Sequence, residues 1–199
     1  HIQKKVATWR DDSYKGIERE MQNILTHIKR VGFLHKPQVE ALETYIYLKE
    51  VVGNKPSLEI FKSLFDNEKD MLLGLGVSRE EAFDLLGNKA KIEELMADKF
   101  GVSDYPNQVY ALTMGAGKTI LMAVMATYDF VLSFYHPDDK RFAKNALVFA
   151  PDTTIIESLK EIKTFDYTRV VPKEYQNILL NIKYHYLENP ETPLSPIGN

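Results

Sequence analysis

Apolar residues in the first hundred positions recur at helical spacing, and no stretch alternates apolar and polar residues for long enough to suggest a strand. Between residues 13 and 30, Ile17, Met21, Ile24, Leu25 and Ile28 follow one another at intervals of four, three, one and three, which places them on one helical stripe. Pro37 opens a second helix, at a position where its missing N–H costs nothing. Val39, Leu42, Tyr45, Ile46 and Leu48 carry that helix to about Val52, and Gly53 and Asn54 stop it. Its charged residues Glu40, Glu43 and Lys49 are expected on the solvated face. Ser57 is expected to cap a short helix ending near Phe65, and Ser78 with Glu81 three positions later reads as a capping box for residues 79–86. Another helix is expected over 89–100. Gly101 and the Ser103, Asp104, Tyr105, Pro106, Asn107 cluster then form a boundary.

Beyond Asn107 the pattern changes to strand alternating with helix. Residues 108–113 supply a short apolar segment, a glycine-containing loop follows, and 118–135 is apolar on nearly every face, as suits a helix packed on a sheet. Residues 145–150 (Asn-Ala-Leu-Val-Phe-Ala) give a second buried-strand candidate. The next helix, capped by Asp152 or Thr153, carries Ile155, Ile156, Leu159 and Ile162 on one face, and residues 182–187 give a third strand candidate. The expected fold class is therefore α/β, a parallel sheet with right-handed crossovers, preceded by an all-α region. The expected division is 1–106, helical with an inserted helical block at about 57–100, and 107–199, carrying the sheet.

Composition narrows the classes. With 44% hydrophobic and 27% charged residues the chain reads as a soluble globular protein, and its longest apolar run, residues 120–126, is too short to span a bilayer. The start, His1-Ile2-Gln3-Lys4-Lys5, lacks the apolar stretch of a secretory signal, and a cytoplasmic location without membrane attachment is expected. The absence of cysteine excludes disulfides and thiolate metal sites, and the five histidines show no metal-ligand spacing. A net charge of −3 shows no overall basic footprint for nucleic acid.

The strongest chemical signal is Met114-Gly115-Ala116-Gly117-Lys118-Thr119. A polyphosphate must be held without bulky side chains in the way, so glycines let backbone N–H groups approach its oxygens, and the following helix aims its positive end at them. Lys118 is expected to reach the outer phosphates and Thr119 to offer its hydroxyl to Mg²⁺. The bland alternative, an exposed Lys in an ordinary turn, puts a cation at the helix end that disfavours it. The general phosphate-loop pattern G-x-x-x-x-G-K-[ST] has Leu112 at its first glycine position.

That departure resembles motif I of superfamily 2 helicases and translocases, where an apolar residue often replaces the first glycine. Residues 147–153, Leu-Val-Phe-Ala-Pro-Asp-Thr, are similar to motif Ia, whose loop touches the nucleic-acid backbone in that family; Pro151, Asp152 and Thr153 would take that role. Residues 32–42 resemble the segment ahead of motif I whose Gln contacts adenine. This implies that Gln38 reads the adenine edge, with Phe33 or a neighbour packed on the ring. Taken together, residues 149–152 (Phe-Ala-Pro-Asp), 158–162 (Ser-Leu-Lys-Glu-Ile) and 170–175 (Val-Val-Pro-Lys-Glu-Tyr) most resemble the DEAD/DEAH-box Res subunits of type III restriction enzymes, a resemblance that covers about residues 32–187. The resemblance implies a RecA-like domain, incomplete within 107–199, ATP and Mg²⁺ as cofactors, and nucleic acid, DNA ahead of RNA, as partner. It also extends to a restriction–modification partner subunit. No D-E-x-[HD] motif follows Thr119, so no catalytic residue is assigned, and the isolated chain is expected to bind nucleotide weakly without turning it over. Two other functions fit less well. A phosphate-loop small-molecule kinase would retain the first glycine and place the loop near its start, whereas a non-catalytic helical interaction module would show no Mg²⁺-dependent affinity for ATP.

Overall fold

The computed structural model describes residues 2–101, 105–149 and 153–185, with the side chains of 153–156 and 158 left out of the description. Ten α-helices carry it: α1 (Ile2–Asp11), α2 (Arg19–Val31), α3 (Lys36–Ile46), α4 (Ser57–Lys62), α5 (Glu68–Gly74), α6 (Arg79–Leu85), α7 (Lys89–Phe100), α8 (Lys118–Tyr135), α9 (Thr153–Thr164) and α10 (Gln176–Leu179). A π-helical segment, Tyr47–Val51, continues α3. None of the described helices is long and apolar enough to cross a membrane.

The expected α/β fold with a partial RecA-like parallel sheet is not what forms: among the described residues there is no strand, and the architecture is all-α. The segments 108–113 and 145–149, and residues 182–185 of the third candidate, are irregular, and the remainder of that candidate and Ala150 lie outside the described residues. Val109 is 91% exposed and Phe149 84%. A short β-prone run becomes a strand only when neighbours pair with its backbone and a layer covers its face. Here the covering helix is already engaged: α8 buries Leu121, Val124, Tyr128, Val131 and Leu132, and packs on α2, α3, α9 and α10.

The stripe read between residues 13 and 30 is real, but its helix is shorter. Residues 12–17 form turns, with Ser13 and Tyr14 both at φ 57°, and helix begins at Arg19. Met21, Ile24, Leu25 and Ile28 are buried, and Gly32 ends α2 at φ 66°, its N–H donated to the Ile28 carbonyl. The principal core joins these residues to Val6 and Trp9 of α1, Leu42 and Ile46 of α3, the inner face of α8, and Val170, Val171 and Tyr175. The block at 57–100 has a separate small core of Leu72, Ala82, Ile92 and Met96. Within it Ser78 accepts a hydrogen bond from the Glu81 N–H, as its cap position predicts. Ser57 does not cap: the N-cap of α4 is Pro56, and the Ser57 hydroxyl donates to the Asn107 carbonyl at 2.6 Å, tying the start of the block to the chain that leaves it.

Candidate phosphate loop and the cleft beside it

Residues 113–117 turn into α8 through two glycines in the left-handed region, Gly115 at φ 75° and Gly117 at φ 69°, a backbone that side-chain-bearing residues rarely adopt. The Ala116 N–H closes the turn onto the Thr113 carbonyl at 3.3 Å. Gly117 is the N-cap of α8, supplies no side-chain cap, and is followed by a first turn with no acidic residue. The free N–H groups and positive end of an 18-residue helix therefore converge on one place with no carboxylate nearby in the chain to offset them. Lys118 sits at that end, exposed, with its ammonium donating to the Thr113 carbonyl across the loop at 3.0 Å. A Cβ on Gly115 would meet nothing within 4 Å, so the outer side of the loop is open to a ligand. Met114 is 96% exposed. The six residues read from the sequence thus lie together at the start of α8, and Thr119 follows in its first turn.

Gln38 is brought to the same loop from α3. Its Nε2 donates to the Gly117 carbonyl at 3.1 Å, its Oε1 accepts the His35 N–H at 2.8 Å, and the side chain is 2% exposed. Both ends of the amide are thereby engaged in shaping the turn. Of the residues read as contacting nucleic acid, Pro151 and Asp152 lie outside the described residues; Thr153 begins α9, and its side chain is likewise not described.

A cleft of about 330 Å³ is lined by Thr119, Ile120 and Ala123 of α8 and by Phe33, Phe165 and Arg169. The Phe33 and Phe165 rings lie 5.9 Å apart at 38°, and the Arg169 guanidinium stands 4.8 Å over the Phe33 ring. Asp166 holds Arg169 through its Nε at 3.3 Å and caps the turn by accepting from Thr168. The Thr168 hydroxyl and backbone, then Arg169, keep the Asp166 carboxyl below its usual range, so it stands as an ionised acceptor. Sequence reading missed Glu161, Phe165, Asp166 and Arg169: Glu161 lies off the apolar face read for α9, and the other three belong to the short connection after it and a single 3-10 turn, Tyr167–Arg169, too short to show a period.

Behind the loop α3 and α8 are joined by buried polar contacts. Lys49 pairs with Asp129 and also donates to the Tyr45 hydroxyl, while Tyr128 donates to Glu50 at 3.0 Å. Glu43 is fully buried and accepts from Arg10 and Tyr14. The expected solvated face of α3 is thus wrong at Glu43 and Lys49, which turn inward because partners on α1 and α8 await them; Glu40 is exposed. Burial pushes the hydroxyls of Tyr45 and Tyr128 well above the usual range, and their neighbours Asp129 and Glu50 add to it. Elsewhere Glu18, Glu20 and His136 bring three possible ligand atoms within 4.8 Å of one another, but Arg141, 3.5 Å from Glu18, already places a cation there.

No protein-family model matches this chain, and no curated protein or solved structure shows significant similarity to it.

Proposed function

We propose that the chain is the ATP-holding part of a nucleic-acid-dependent ATPase of the helicase or translocase type. One observation carries the nucleotide half of this reading: two left-handed glycines deliver the uncapped N-terminus of α8 together with Lys118 and Thr119 to one open point. An anion there meets backbone N–H groups, a helix end and an ammonium at once. Lys118 would exchange the Thr113 carbonyl for a phosphate oxygen, and Thr119, one residue on, would present its hydroxyl to the Mg²⁺ that accompanies ATP. Mg²⁺ neutralises phosphate charge; the chain's own part is to bind and orient. The nucleic-acid half, with DNA ahead of RNA, rests on the likeness of residues 112–119 and 147–153 to helicase motifs, and the restriction–modification partner subunit on the likeness of 149–152, 158–162 and 170–175 to type III Res subunits.

The test is titration of the chain with Mg·ATP, followed by calorimetry. Saturable binding is expected, weakened at least tenfold in Lys118→Ala and made less dependent on Mg²⁺ in Thr119→Ala, with no sustained release of phosphate. Equal affinity in Lys118→Ala and the unaltered chain would sink the phosphate-loop reading.

A further inference from the structure

The amide that a helicase-like reading would turn toward adenine is already committed. Gln38 is 2% exposed, and its donor and acceptor are both engaged, on Gly117 and His35. To face a base it would have to leave the loop it supports. The cleft that Thr119 helps to line offers another surface for the non-phosphate end of a ligand, and its walls complement a flat, amino-bearing ring. Phe33 presents an aromatic face, and the Arg169 guanidinium lies over that face at 4.8 Å. Planar cations and planar bases occupy the same kind of position on an aromatic ring. Glu161 and Asp166 line the same cleft and accept hydrogen bonds, as an exocyclic amino group requires. Thr119, the last residue of the loop motif, lines this cleft together with Ile120 and Ala123, so the cleft and the phosphate end share that residue.

We propose that this cleft takes the base of a purine nucleotide, stacked on Phe33 and covered by Arg169, with Asp166 and Glu161 accepting from its amino group, while Gln38 positions the loop and does not read the base. The proposal rests on the loop being a phosphate site, and it assigns the choice of nucleotide to residues from the end of α9 and the turn after it. Arg169 is half-exposed and held by an exposed ion pair with Asp166 and by its contact with the Phe33 ring, so in this proposal its guanidinium lifts to admit a flat ring and closes over it.

The experiment compares dissociation constants for Mg·ATP, Mg·UTP and magnesium tripolyphosphate, the last lacking a base altogether. The unaltered chain is expected to prefer ATP over tripolyphosphate about tenfold or more, as one stacked base provides, and over UTP by a smaller factor. Arg169→Ala, and separately Phe33→Leu, which keeps apolar bulk but loses the flat face, should collapse the ATP-to-tripolyphosphate preference toward unity, with helicity checked by circular dichroism. Gln38→Ala should weaken both ligands by a similar factor and leave the preference in place. An unaltered chain that binds tripolyphosphate as tightly as ATP, or variants at Arg169 and Phe33 that keep the preference, overturns the cleft proposal while leaving the phosphate loop standing. A preference lost in Gln38→Ala alone returns base reading to Gln38 and equally overturns it. If neither ATP nor tripolyphosphate binds, both readings fall together.

Discussion

At the scale of single residues, the contact between Gln38 and Gly117 is the most constrained point of the candidate site. A Cβ on Gly117 would lie 2.5 Å from the Gln38 Nε2 and would sit on a backbone at φ 69°. Gly115 has a similar φ of 75° but open space where its Cβ would go. Gly115→Ala therefore carries backbone strain alone, on the order of 1–2 kcal/mol, whereas Gly117→Ala adds displacement of a buried amide. Chemical denaturation of the two variants should rank Gly117→Ala as the more destabilised. Adding Gln38→Ala to Gly117→Ala should cost less than the sum of the two single changes, because the first removes the group that the second collides with. Strict additivity would show that Gln38 does not hold the loop. The two glycines were legible in the sequence as a tight turn into α8, because a left-handed backbone calls for that residue type. The engagement of Gln38 was not, since a lone Gln after a Pro carries no record of which carbonyl it will meet 79 positions away.

At the scale of elements, helices were legible where spacing and punctuation agreed. Residues 89–100 and 118–135 form the helices expected, and the stripe at 17–28 is buried as read. Polarity misled where a charged residue has a distant partner: Lys49 is drawn inward by Asp129, and Glu43 by Arg10 and Tyr14. Glu50, in the π-helical segment, makes this measurable. Burial pushes its carboxyl up to about 7 from 4.5, with Glu18 adding repulsion, against hydrogen bonds from the Glu18 N–H and Tyr128 and the pull of Arg141. The folded state thus holds this proton more tightly than the unfolded chain does. The cost of ionising Glu50 is absent below about pH 4.5, grows as pH rises toward 7, and is complete above it. At 1.36 kcal/mol per pH unit the whole effect is on the order of 3 kcal/mol. Between pH 5 and 8 the urea midpoint of the unaltered chain should fall more steeply than that of Glu50→Gln, which should be the more stable of the two at pH 8. Parallel slopes for the two proteins would refute the assignment of this pH dependence to Glu50.

At the scale of the whole molecule, the parallel sheet failed to appear because three short apolar runs do not specify a sheet unless something covers them, and α8 spends its apolar face on other helices. The strand–loop–helix grammar around Gly117 is local and says nothing of which layer the helix will join. The block at 57–100 has a core sharing no buried residue with the principal one. The single tryptophan, Trp9, is 7% exposed within the principal core, its indole N–H donated to the Lys15 carbonyl at 2.9 Å, so its fluorescence reports that core alone. Leu72, fully buried in the smaller core, has no contact with that reporter's cluster among the buried residues. A Leu-to-Ala change at such a position costs roughly 2–5 kcal/mol where it acts. Leu72→Ala should therefore produce an early loss of helical circular dichroism as α4 to α7 come apart, with the Trp9 transition left at its original midpoint. Leu25→Ala, in the principal core, should lower the Trp9 midpoint. If Leu72→Ala drags the Trp9 transition down with the helical signal, the two cores unfold as one cooperative unit, and the block at 57–100 is a support for the principal core rather than a module hung beside it.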